Sequence, residues 1–281
     1  MTESDGIWSK ILNLDRRIIT IVAVLLIVWP LVKPIGLPIV VNKYTYQVHD
    51  LIDSYPEDTV VFIDNAIGLG YFGAMGPAFI DVLTHMTSKN FKIVCFSGLT
   101  PEGPITFWKC WNAVPKELTD NYEYGIDYVY LGFMTGGEST MIKAAENLHD
   151  LFTYDYYGTP LKDIPLLENI GNYEDYDIVL YCTSSEDYRG MMYRIWGETF
   201  KTNLILLAQR AVVPVNMIDA GLIKGYVRGL RGAAEYELIL KRPGAAIAQL
   251  DAVSMFFIWM LGIVAIGNIA FFMRKREAKA G

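Results

Sequence analysis

The chain has 281 residues, 52% of them hydrophobic, and a formal charge of −7. Residues 42–250 hold 16 Lys and Arg against 26 Asp and Glu, so the middle is acidic and the ends carry the basic excess. That balance speaks against nucleic acid as a partner, because such binding rests on neutralising phosphates with cations.

The first element is an apolar stretch at residues 18–38, preceded by a segment at 1–17 that carries the cations Lys10, Arg16 and Arg17. Lys33, Pro34 and Pro38 interrupt its far end, but a lysine there can reach the headgroup level. No small-x-small exit follows, so an uncleaved signal anchor is expected. A second apolar stretch, residues 252–273, carries no charge and is long enough for a bilayer core. Arg274, Lys275, Arg276 and Lys279 make the tail at 274–281 basic. Only Lys33, Lys43, Lys241 and Arg242 lie near the spans on the other side. The cation excess at the two ends places both termini in the cytoplasm and the domain at 42–248 outside.

Within that domain, short apolar runs at 60–64, 92–96, 127–131, 177–182 and 203–207 read as strands buried on both faces. Helical patterns at 77–89, 104–118 (broken by Pro115), 139–151 and 186–199 separate them. The alternation predicts an α/β fold, a doubly wound and mostly parallel sheet of about five strands, flanked by two transmembrane helices. Cys95, Cys110 and Cys182 have no metal-ligand spacing, and the first and last of these fall in strand-like runs as small hydrophobes.

Residues 153–176 form a connection too long for an idle loop, with Leu161, Ile164, Leu166, Leu167 and Ile170 to pack on something. Two readings stand: it covers an edge of the sheet, or its tyrosines, Tyr154, Tyr156 and Tyr157 among them, form a partner interface. Residues 217–240 read as one helix in which Gly221, Gly225, Gly229 and Gly232 share a face. Such a stripe implies close approach of another backbone, from the domain itself or from a second subunit. Lys224, Arg228 and Arg231 form a basic stripe beside it, either a solvated face or a dock for lipid phosphate or an acidic neighbour.

In open α/β sheets ligands bind at the carboxyl ends of the strands. Asp64, Asn65, Ser97, Gly136, Gly137, Ser184 and Ser185 fall there and are the candidate lining for a small anionic or phosphate-bearing ligand. Gly136 and Gly137 precede a helix start, where N–H groups favour an anion; Ser184 and Ser185 suit helix capping equally well. Gly68, Gly70 and Gly73 match the dinucleotide fingerprint by letter, but four residues part them from the strand and Ser97 stands where an acid should close the second strand. His49, His85 and His149 all lie in or beside helical segments and no nucleophile elbow is present, so no catalytic set, metal site or cofactor is predicted.

The runs Lys33-Pro-Ile-Gly-Leu-Pro38, Tyr157-Gly-Thr-Pro-Leu161, Gly229-Leu-Arg-Gly-Ala-Ala-Glu-Tyr-Glu237 and Gly267-Asn-Ile-Ala270 resemble a family of prokaryotic membrane proteins. That family has one helix at each end and an α/β domain between. The resemblance implies this architecture and carries no catalytic residue. The expected function is therefore a membrane-anchored, non-enzymatic structural or assembly subunit, associating with itself or with other membrane proteins. The alternative is the anion-binding domain just described.

Overall fold

A computed structural model describes residues 7–209 and 215–280, in two compact units, 1–38 with 247–281 and 39–246. The first begins with the short helix α1 (Ile7–Leu12) and with α2 (Arg16–Val32), whose start is capped by Asp15 accepting the Arg17 N–H at 2.8 Å. α2 stops six residues short of the expected limit at Pro38. The residue before a proline is pushed out of the helical region, and Lys33, before Pro34, is extended at φ −140.

The body opens with α3 (Lys43–Ser54), which the strand-and-helix reading omitted. Asn42 caps it, and Thr45, Val48 and Ile52 bury one face at helical spacing. Next come β1 (Val60–Ala66), α4 (Phe72–Ser88), β2 (Lys92–Ser97), α5 (Gly103–Trp111) and α6 (Lys116–Thr119), then β3 (Tyr128–Phe133), α7 (Glu138–Glu146) and α8 (Leu148–Leu151). The break expected at Pro115 within 104–118 separates α5 from α6, since proline has no N–H to continue the ladder. The helix expected at 139–151 breaks at Asn147, which is extended and caps α8. After the long connection follow β4 (Ile178–Thr183), α9 (Glu186–Met192) running into a π-helical turn at Tyr193–Thr199, β5 (Leu204–Ala208), α10 (Val215–Asp219), β6 (Gly225–Arg228) and α11 (Gly229–Ile239).

Six strands, all parallel, form one sheet in the order β3-β2-β1-β4-β5-β6. The five expected strands are all present and β6 is the sixth. Nearly every strand residue is buried, as the unbroken apolar runs require when helices cover both faces. On one face Phe62 stacks on Tyr176 (4.6 Å between ring centres) and meets Phe96 and Trp196 at 5.2 Å.

The single helix expected over 217–240 does not form, and the four glycines share no stripe. Gly221 turns the chain at φ +75, and Gly225 lies in β6 against α3. Gly229 makes the strand-to-helix corner at φ +44. Gly232 lies in α11 over Val227, where a Cβ would come within 2.9 Å of its side chain. Each answers a separate backbone demand, and their regular spacing is incidental.

The long connection is ordered by three short 3-10 turns, with Leu161, Ile164, Leu166, Leu167 and Ile170 all buried. Tyr156 donates its N–H to Tyr130 O (2.9 Å) and Leu166 donates to Gly125 O (2.9 Å). The segment therefore covers the β3 edge, which would otherwise offer unpaired backbone to another chain.

The last helix, α12 (Ala245–Ala280), is one continuous element. From Ala245 to Glu277 it is long and apolar enough to cross a membrane, and its most apolar stretch is almost wholly exposed; among the described residues it is the one helix that meets this test. Within the same unit the buried Asp251 carboxylate accepts the N–H groups of Ile35, Gly36 and Leu37 at 2.8, 2.8 and 3.0 Å. The turn after α2 is thereby pinned to α12 by a charge-assisted triple bond set.

Candidate functional site

In a sheet wound in the order 3-2-1-4-5-6, β1 and β4 flank the point where the winding reverses, and a crevice there is the usual ligand site. Asp64, Asn65 and Ser97 meet at this place; the Asp64 carboxylate, the Ser97 hydroxyl and the Asn65 amide nitrogen are bonded to the protein itself, and Asn65 Oδ1 is buried without a hydrogen-bond partner. Asp64 is fully buried; its carboxylate accepts the Gly98 N–H at 2.9 Å and the Tyr188 hydroxyl. Asn65 donates to Gly103 O (3.0 Å) and Thr106 Oγ1 (3.1 Å). Ser97 donates to Asn65 O and lies 2.9 Å from Thr100 O. A Cβ on Gly98 would overlap Tyr188 Oη and Met141 Cε, so the space above the strand tips is already filled.

Ser185 is the N-cap of α9: its Oγ accepts the Tyr188 N–H at 3.3 Å, and its own N–H goes to Thr183 Oγ1 at 3.1 Å. The α9 start so fixed turns Tyr188 back over β1. Replacing Ser185 by alanine is expected to lower stability by about 1 kcal/mol, the usual worth of a cap, read as a shift in denaturation midpoint. Ser184 is half-buried beside it. Gly136 and Gly137 are exposed at the start of α7, with Gly137 at φ +63; Ser139 Oγ donates to Gly136 O at 3.0 Å. These two are exposed whereas Asp64, Asn65 and Ser97 are buried, so the candidates do not share one environment.

Burial pushes the Asp64 carboxyl up to about 7, against the pull of its bonds to Tyr188 and Gly98. An acid with that value beside a tyrosine could move protons at neutral pH, but Tyr188 itself is 6% exposed and nothing reaches the pair. Tyr188 was missed in the sequence; its only signal was its place one turn beyond a capping serine.

The glycine-rich turn after β1 is exposed, and Gly70 and Gly73 have open space around them. Its Leu69 N–H, however, donates to the Glu102 carboxylate, an anion supplied by the chain where a pyrophosphate would need the same donor. With Ser97 closing β2, these residues do not fit a dinucleotide. The three cysteines are free and buried, and burial raises all three thiols, that of Cys110 to about 12. His85 stacks on His49 (4.8 Å) and bonds Tyr236 Oη (2.8 Å), while His149 Nε2 lies 3.1 Å from Ile170 O. Among the described residues no group of three or more His, Cys, Asp or Glu is placed to hold a metal.

The tyrosines of the long connection are differently placed. Tyr154, Tyr156 and Tyr157 are 56, 46 and 62% exposed. Trp108 lies 6.3 Å from the Tyr156 ring and 5.9 Å from that of Tyr157, and Tyr124 is 5.0 Å from Tyr157. Asp155 fixes the loop, accepting from Tyr157 N–H (2.9 Å), Thr159 N–H (2.7 Å) and Tyr124 Oη (2.8 Å).

Fold and tips together define a doubly wound parallel α/β protein with, among the described residues, one helix fit to cross a membrane and with Tyr188 and Met141 packed over the tips at its switch point. No protein family, curated protein or solved structure matches the chain.

Proposed function

We propose that this protein is a non-enzymatic assembly subunit, held to the membrane by both apolar stretches, with both termini in the cytoplasm and the α/β body outside. It associates with copies of itself or with other membrane proteins. The observation that carries this reading is the aromatic face of the exposed Tyr154, Tyr156 and Tyr157, the last two packed on Trp108. Exposed tyrosines and tryptophan are the side chains that dominate protein interfaces. Here Asp155 holds the loop in advance, which lowers the ordering cost of docking. Membrane anchoring adds a high effective concentration of partners. The filled strand tips weigh against the alternative of a ligand-binding or enzymatic body at β1 and β4.

The test is particle mass after gentle extraction from native membrane. A complex larger than one chain is expected, and Tyr154→Ser with Tyr157→Ser should reduce it to the monomer while leaving the thermal midpoint within a few degrees. A monomer at native abundance, or an unchanged complex in the double variant, would refute the aromatic face as the docking surface.

A further inference from the structure

A second feature lies at the far edge of the sheet, two strands away from β4. β6 passes into α11 without a loop, so Arg228 ends the strand and occupies the N-cap position of the helix. Arg231 follows in the first turn. Both point of entry and charge run against the ordinary rule, since helix N-termini are positive and favour acidic side chains. The first turn of α11 holds no acid.

These arginines line a cavity of about 160 Å³, with Asn42, Tyr44 and Thr45 from the start of α3, Tyr226 from β6, and Glu235 from α11. Glu235 is the single anion in that lining, and it is committed. It is 3% exposed and accepts the Asn42 N–H (3.1 Å), the Thr45 hydroxyl (2.7 Å) and Arg231 Nε (3.1 Å). Arg231 keeps both Nη groups, and Arg228 is exposed with no ion pair among the described residues. Two guanidiniums against one spent carboxylate leave the cavity one positive charge in excess. The corner that brings them into one lining turns at Gly229, whose φ of +44 suits glycine and where a Cβ would stand 3.5 Å from the carbonyl oxygens of Ala74 and Gln209; the arginines flank it three residues apart.

The geometry points to a binding site for a phosphoryl group, held by Arg228 and Arg231 over the first turns of α3 and α11. A planar guanidinium offers paired N–H groups that match two oxygens of a phosphate, which a lysine cannot do. Helix N-termini add to the same attraction. The volume admits a phosphate with a small substituent and falls below the roughly 300 Å³ at which ordinary small-molecule pockets begin, so a whole nucleotide does not fit. The phosphate belongs either to an anionic lipid headgroup or to a small soluble phosphomonoester. The site is separate from the tyrosine face, and neither depends on the other.

The experiment titrates the full chain in detergent with inorganic phosphate and with glycerol 3-phosphate. The same chain is then titrated with phosphatidylcholine vesicles, with and without phosphatidate. One saturable site is expected with at least one phosphate-bearing probe, weakened at least tenfold by Arg228→Gln and abolished by Arg228→Gln with Arg231→Gln. Arg228→Lys should restore only part of the affinity. Binding to phosphatidate vesicles alone assigns the lipid source; binding of the soluble probes assigns the metabolite. No saturable binding by any probe overturns the proposal, as does equal affinity in the parent and in Arg228→Gln. That single variant removes no ion pair among the described residues, so it decides the matter even if the double variant unfolds.

Discussion

Replacing Gly225 by alanine is expected to destabilise the body by roughly 3 kcal/mol or more, at the upper end of what overpacking costs. A Cβ there would stand 2.6 Å from Val48 Cγ2, 2.7 Å from Val48 N and 3.1 Å from Val48 Cα. Two of those atoms are backbone of α3, so no side chain can swing aside to relieve the overlap. α3 would have to lift from β6, taking the buried Val48 and Ile52 with it. Denaturant midpoints at unchanged slope read the loss. Gly221→Ala is the comparison. A Cβ there meets only the end of Lys224 at 3.9 Å, and its cost is the left-handed φ, about 1 kcal/mol. Equal losses at both positions would refute this division of roles.

Stability is expected to fall as the pH rises from about 6.5 to 8. Burial raises Asp64 from 3.8 to about 7, and burial together with Glu237 raises Asp81 from 3.8 to about 8. The folded chain therefore keeps two protons that the unfolded chain releases. Their contribution is complete below pH 3.8 and disappears as the pH climbs through 7 and 8. His85 acts in the opposite sense. Burial, with His49 stacked against it, lowers it from 6.5 to about 4, so its contribution is complete above 6.5 and lost as the pH falls towards 4. Between 4 and 6.5 the groups oppose one another, and above 6.5 only the two acids still change. Three pH units on Asp64 correspond to about 4 kcal/mol across its whole range. Asp64→Asn should therefore flatten the profile and stabilise the protein at pH 8, where the parent holds a buried charge. Unfolding curves at pH 6.5 and 8 measure this. A parent no less stable at pH 8, or an unchanged slope in Asp64→Asn, would contradict it.

The glycine run shows where local pattern stops being informative. Gly221, Gly225, Gly229 and Gly232 repeat with helical spacing, although each costs a helix interior about 1 kcal/mol. What breaks the expected helix is distant. Ile205, Leu206, Leu207 and Ala208 offer an open ladder to which Gly225, Tyr226, Val227 and Arg228 pair. Gly225 lies where α3 comes closest, and α3 is some 180 residues away in the chain. At four residues β6 is also too short to carry a period of its own.

The strand tips divide in the same way. That Asp64, Asn65 and Ser97 sit at carboxyl ends followed from where the apolar runs stop. Whether they face a ligand or one another depended on Tyr188 and Met141, brought in from α9 and α7. For the connection at 153–176, the buried leucines and isoleucines predicted order, while its docking on β3 needed the sheet order to leave β3 at an edge.

Periodicity and composition by themselves determined the α/β class, five of six strands, their burial on both faces and the apolar C-terminal helix. These are properties of short windows, since burying an apolar run needs no knowledge of its neighbour. Tertiary structure alone decided the strand order, the sixth strand, the closed crevice and the pairing of Arg228 with Arg231 beside α3. Each of those arises when segments far apart in the chain compete for one place, and that competition is settled by packing, which no local window contains.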